Sequence, residues 1–145
     1  FKNANYILIE HPVNQKECIS FMERFVGTLG FKSVKIMSPQ AHDEIISFTS
    51  QLPHAIAVSL INSDNEKYET GKYIGDSYRD LTRIANINEN LWSELFLRNS
   101  DYLLASIEAF EEQLDLIKVA LKDNDERLLK DLFIKSSLRR EKLEK

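Results

Sequence analysis

Two short runs of strand-forming residues flank one amphipathic helix within the first 37 residues, and nothing after them reads as a strand. The first run, NYILIE, is rich in branched apolar residues and is stopped by His11-Pro12. Cys18, Phe21, Met22, Phe25, Val26 and Leu29 then recur at helical spacing, and Gly30 stands where a C-terminal cap belongs. FKSVKIM alternates apolar Val34 and Ile36 with polar Ser33 and Lys35. This is a βαβ unit, so its strands should be parallel, and a parallel pair needs further strands beside it and cover on both faces. Those strands are expected upstream of Phe1, in a longer protein of which this chain is a piece. Cys18 is expected as a small buried hydrophobe on the apolar side of the helix. As the single cysteine it can form no internal disulfide and no cysteine-rich zinc site, and no metal site is expected.

From Ser38 onward the period is helical. Ser38 is a good N-cap with Pro39 at the first helical position, and the helix it opens should run to Asn62. Residues 63–74 read as a loop or irregular helix, SYRDLTRIA as a short helix, and ENLWSELFLRNSDYLLASIEAFEEQLDLIKVALK as one long helix. At 1.5 Å per residue that helix would be about 50 Å long, more than a small domain can cover, so it should pack on a second subunit. DNDE supplies a turn with an Asp123/Glu126 capping pair, and a last helix carries Leu128, Leu129, Leu132, Phe133 and Leu138. The fold is therefore mainly α. Residues 1–37 are expected to form a βαβ unit, and residues 38–145 an all-helical unit with one long helix, covering residues 90–122.

Composition narrows the function. A net charge of −4 without a Lys/Arg run argues against a nucleic-acid partner. No apolar run approaches the roughly 18 residues of a membrane span, and FKNANYILIE lacks the pattern of a signal peptide, so the cytoplasm is the expected location and no membrane partner is expected.

Two places carry chemistry. On the helix after Ser38, the residues Asp43, Ser47, Ser50 and His54 are spaced four, three and four, a polar stripe on an otherwise apolar helix. Such a stripe needs partners or a wet cavity. Pro53 removes one backbone donor and disfavours the bond to the Thr49 carbonyl, which should distort the helix beside His54. His54 is either part of a shaped site or a core histidine bonded to a carbonyl, and His42 is a capping or structural group. In SYRDLTRIA, Asp80 and Arg83 are three apart and Arg79 and Arg83 four apart. One arginine can be held by the aspartate while presenting its planar fork to a carboxylate or phosphate; the alternative is a solvated surface pair. Trp92, the only tryptophan, is either core or the wall of a site.

HDEIISFTSQLPH, then RDLTRIA, then LW, then RNSDYLL, in that order and spacing, resemble the substrate-binding, dimer-forming domain of prephenate dehydrogenase across roughly residues 4–135. The family pattern is His-Asp, Ser-His-Leu-Pro-His, Arg-Asp-x-Thr-Arg-Ile-Ala, then Trp and Asn. The resemblance implies an oxidative decarboxylation in tyrosine biosynthesis, in which prephenate and NAD give 4-hydroxyphenylpyruvate, carbon dioxide and NADH. It implies that Arg83 clamps a substrate carboxylate, Asp80 orients it, Ser50 and His54 contact the substrate's polar groups, and Trp92 walls the site. It makes residues 1–37 the last part of a nucleotide-binding Rossmann domain and residues 38–145 a helical substrate-binding and dimerisation domain, and it places both the NAD-binding fingerprint and the catalytic histidine upstream of Phe1. No catalytic residue is therefore expected here, and residues 1–145 alone should be inactive. His11-Pro12 follows a strand at the wrong place in the order to be that histidine's motif. The glycines Gly27, Gly30, Gly71 and Gly75 form no G-x-G-x-x-G. A homodimer is implied as the partner.

The chain departs from the pattern at two points. Gln51 replaces the first histidine of Ser-His-Leu-Pro-His, while His54 keeps the second. GDSYRD replaces a glycine-rich Gly-Gly-Gly-Phe-Arg-Asp, so Asp76 and Ser77 stand where the family's backbone approaches substrate. An extra carboxylate such as Asp76 suits the amine of arogenate, although prephenate is the reading kept. Beyond arogenate dehydrogenase, the alternatives are a ligand-free helical dimerisation module, or the helical half of another small-acid dehydrogenase. Convergence of Arg83, Ser50 and His54 would discriminate against the former.

Overall fold

A computed structural model describes Phe1 and residues 4–143. It falls into two compact units, Phe1–Leu103 and Leu104–Lys145.

The first unit opens with β1 (Asn5–Ile9), α1 (Lys16–Thr28) and β2 (Ser33–Met37), and the two strands pair in parallel with Asn5 opposite Ser33 and Ile9 opposite Met37. Gly30 ends the crossover helix at φ +81°, a left-handed conformation that a residue without Cβ adopts at least cost. α1 packs on both strands, with Val26 buried and Ile19 and Met22 half-buried. Two strands are too narrow to cover its wide apolar stripe. Cys18 is accordingly exposed rather than buried, along with Phe21, Phe25 and Leu29 on the same side.

Ser38 caps the next helix as its sequence requires, its hydroxyl accepting from the Ala41 N–H at 3.2 Å with Pro39 behind it. The helix reaches Asn62, but in three parts: α2 (Pro39–Ile46), a π turn (Ser47–Gln51) and α3 (Leu52–Asn62). In the π turn the Leu52 N–H reaches back five residues to the Ser47 carbonyl. Pro53, next in line, has no N–H to give, and a wider turn at this point absorbs the mismatch in pairing. The Ser47 and Thr49 hydroxyls donate to the carbonyls of Glu44 and Ile45, both at 2.7 Å, a back-bonding that itself loosens a helix.

Residues 63–74 are a loop with a short 3₁₀ turn, Thr70–Lys72. Within it the Thr70 hydroxyl and the Glu66 N–H hold the Asp64 carboxyl below its usual range. α4 (Asp76–Thr82) and a 3₁₀ turn (Arg83–Ala85) then pack against α3.

The expected single long helix is two helices, α5 (Glu89–Arg98) and α6 (Ser100–Lys122), broken at Asn99 with φ −122° and ψ 27°. Asn99 spends its side-chain amide on distant groups, as described below, and its own N–H bonds only three residues back, to Phe96. α6 keeps 23 residues, about 35 Å. After Lys122 the turn also departs from the expected pattern. Asn124 takes the left-handed conformation at φ 52°, so the cap of α7 (Glu126–Leu143) moves from Asp123 to Asp125, which accepts from the Leu128 N–H at 2.9 Å. In the second unit Ala120 is buried, whereas Leu114, Leu121, Phe133 and Leu138 are exposed. Among the described residues no helix is long and apolar enough to cross a membrane.

Candidate functional site

The residues singled out in the sequence come from four elements of the first unit: the π turn with Ser50, α3 with His54, the α4 and 3₁₀ segment with Asp80 and Arg83, and α5 with Trp92. Three of them are in direct contact. His54 Nδ1 lies 2.8 Å from the Ser50 carbonyl oxygen, and the imidazole stacks on the Trp92 indole with ring centroids 3.7 Å apart. Phe96 meets the indole edge-on, with ring centroids 5.7 Å apart. All three residues of the cluster are half-buried. A carbonyl oxygen can only accept, so neutral His54 carries its proton on Nδ1 and leaves Nε2 with a free lone pair. The carbonyl-bonded reading of His54 is met at Nδ1, and Nε2 has no partner among the described residues.

The polar stripe does not form one exposed surface. Asp43 is exposed and lies against its neighbour His42 at 3.0 Å, Ser47 is buried, and Ser50 meets His54 through its carbonyl. The π turn between them rephases the helix.

Arg83 and Asp80 sit on the segment that packs against α3, both exposed. Asp80 does not hold Arg83. The acid that engages an arginine here is Asp76, 2.9 Å from Arg79 Nη1. Asp76 opens the first turn of α4, where its charge suits the helix dipole, and from there it reaches Arg79 three residues on. Among the described residues Arg83 forms no ion pair, so its planar fork is unspent.

Two residues of this region were not singled out as site residues. Gln51, only 5% exposed, donates from Nε2 to the Leu95 carbonyl of α5 at 3.1 Å. Its Oε1 accepts from Asn99 Nδ2 at 2.8 Å, and the same Asn99 nitrogen donates to the Asp43 carbonyl at 2.9 Å. This amide pair ties the end of α2, the π turn and the α5–α6 break together. Its signals in the sequence were a glutamine where the family pattern has histidine and an asparagine interrupting an apolar stripe. Among the described residues no cluster of three or more His, Cys, Asp or Glu could hold a metal.

A sequence profile described as prephenate dehydrogenase, dimerization domain, matches residues 38–135. A prephenate dehydrogenase of Bacillus subtilis is 28% identical over 129 residues, covering 86% of this chain and 34% of the relative. The crystal structure of prephenate dehydrogenase from Aquifex aeolicus in complex with hydroxyphenyl propionate and NAD+ superposes with a TM-score of 0.78 at 30% identity, covering 93% of this chain and 49% of that one. The crystal structure of Synechocystis arogenate dehydrogenase superposes with a TM-score of 0.86 at 23% identity, covering 99% and 53%, which establishes likeness of fold. The chain thus spans about a third of the B. subtilis relative and about half of each solved chain.

Proposed function

The chain belongs to the prephenate dehydrogenase family, and from that premise we propose that the whole protein oxidises and decarboxylates prephenate to 4-hydroxyphenylpyruvate with NAD, in tyrosine biosynthesis. Residues 38–145 would bind the substrate and form the homodimer, and residues 1–37 would complete a nucleotide-binding domain, in the cytoplasm.

The observation that carries this reading is a guanidinium, Arg83, that has no ionic partner among the described residues and lies on the turn packed against the helix that presents His54. Prephenate brings two carboxylates, and a planar fork without an internal partner suits one of them. His54 offers Nε2 to a polar group of the substrate, Ser50 lies beside it, and Trp92 forms a flat wall against which a ring can lie. Asp80 is a second charge at the rim, one turn before Arg83.

NAD, when bound, supplies the hydride acceptor. None of the 145 residues is assigned to it, because Gly27, Gly30, Gly71 and Gly75 fall in no dinucleotide-binding pattern. No residue here is assigned the acid–base chemistry either, so residues 1–145 alone should show no dehydrogenase activity. The alternative substrate, arogenate, loses the support that Asp76 lent it, since that carboxylate is already engaged by Arg79.

The test is steady-state NADH formation by the full-length protein with prephenate and with arogenate. Prephenate should be the better substrate by kcat/KM. Turnover of neither would overturn the assignment, and a preference for arogenate would reverse the substrate choice.

A further inference from the structure

Gln51 sits at the convergence of everything that fixes His54. Its side chain is buried, and a buried amide whose ends are both bonded fixes the parts it joins. One end holds the Leu95 carbonyl on α5. Trp92, the ring stacked on His54, is three residues before Leu95 on that same helix, so the Gln51–Leu95 bond sets the height at which the indole meets the imidazole. The other end holds Asn99, which also grips the Asp43 carbonyl and so anchors the start of the π turn. Gln51 is itself the last residue of that turn, directly after Ser50, whose carbonyl takes the Nδ1 proton of His54. Both contacts of His54, the carbonyl on one edge and the indole on one face, therefore come from elements that this one amide joins.

We propose that Gln51 is a positioning residue for His54, holding the imidazole as the Nδ1–H tautomer against Trp92 so that Nε2 faces outward as a hydrogen-bond acceptor. Free imidazole side chains in water prefer the proton on Nε2, so the protein must actively hold the opposite form. In consequence the neutral imidazole accepts a hydrogen from its ligand at Nε2 and does not donate one there. That the ligand is prephenate rests on the function proposed above; the tautomer does not.

The experiment reads the two ring nitrogens of His54 by nitrogen-15 NMR in the full-length protein, at a pH where the ring is neutral. In the wild type the Nδ1–H form should dominate. Gln51→Leu removes both hydrogen bonds at nearly constant volume, and the ratio of Nδ1–H to Nε2–H should fall by about tenfold, the worth of one ordinary hydrogen bond. Asn99→Ala removes one partner and should shift the ratio in the same direction by less. Gln51→His, which restores a donor able to reach Leu95, should recover part of the ratio. A folded Gln51→Leu protein whose His54 keeps its tautomer would overturn the proposal. If that variant does not fold, an unchanged tautomer in Asn99→Ala would do the same. A shifted tautomer together with an unchanged prephenate KM would leave the positioning role standing and instead remove His54 from the substrate site.

Discussion

Arg83 and Arg79 are one helical turn apart and differ in what holds them. Arg79 is tied to Asp76 on the surface, whereas Arg83 has no ionic partner among the described residues. Truncating one partner of a charge pair formed in a partly dry site costs about 2 to 5 kcal/mol. In the full-length enzyme, Arg83→Ala should therefore weaken prephenate binding by roughly 30-fold to several thousandfold, with NAD affinity nearly unchanged. Arg83→Lys should recover part of the loss, because it keeps the charge without the planar fork. Arg79→Ala should cost under about 1 kcal/mol, as exposed pairs do. A larger rise in prephenate KM for Arg79→Ala than for Arg83→Ala would show the clamp wrongly assigned. At this scale much was legible beforehand: the spacing of Ser50 and His54 already placed them together, and Pro53 already marked a disturbed helix. Gln51 and Asn99 were not legible as a pair, because their partners lie 44 and 48 residues away and periodicity within one helix carries no such information.

Elements were easier to read than their ends. The βαβ unit, the Ser38 cap and the extent of the helix to Asn62 follow from local chemistry, and local chemistry decides them. Breaks depend on tertiary partners. Asn99 interrupts an apolar stripe that would otherwise favour one continuous helix, and it does so because its amide bonds Asp43 and Gln51 instead of solvent. The cap of α7 was misplaced by two residues for a smaller reason, the left-handed Asn124, since DNDE offers several acids and only backbone geometry selects among them. Asp125→Ala should cost about 1 kcal/mol in chemical denaturation, while Asp125→Asn, an equally good cap, should cost almost nothing. Equal losses in both variants would mean that charge, not capping, is what Asp125 contributes.

For the whole molecule, the decisive quantity is apolar surface that the chain leaves exposed. α6 and α7 expose Leu114, Leu121, Phe133 and Leu138, and the profile matching residues 38–135 is that of a dimerization domain. Stable interfaces bury about 800 Å² per partner, and faces of this kind are the usual material for a symmetric pair. Sedimentation of the full-length protein at micromolar concentration should give twice the chain mass, and a monomer would remove the dimer from the proposal. Cys18 shows why burial was harder to foresee than helicity: its helix pattern was plain, but exposure is decided by how many strands lie beside the helix.

The π turn has a consequence best put in terms of insertions and deletions. A helix with one residue too many is in register only as long as that residue stays, so the stretch Ser47–Gln51 must keep its length. Losing a single codon there would return the chain to an ordinary helix and swing every later side chain by about 100° around its axis. His54 would leave the face of Trp92, and binding of prephenate, the proposed substrate, should go with it. Deletion of Phe48 tests this directly, since a folded product that still bound prephenate normally would show that the extra residue sets no register. On this view the chain carries, over five residues, a reading frame as strict as the one in its gene.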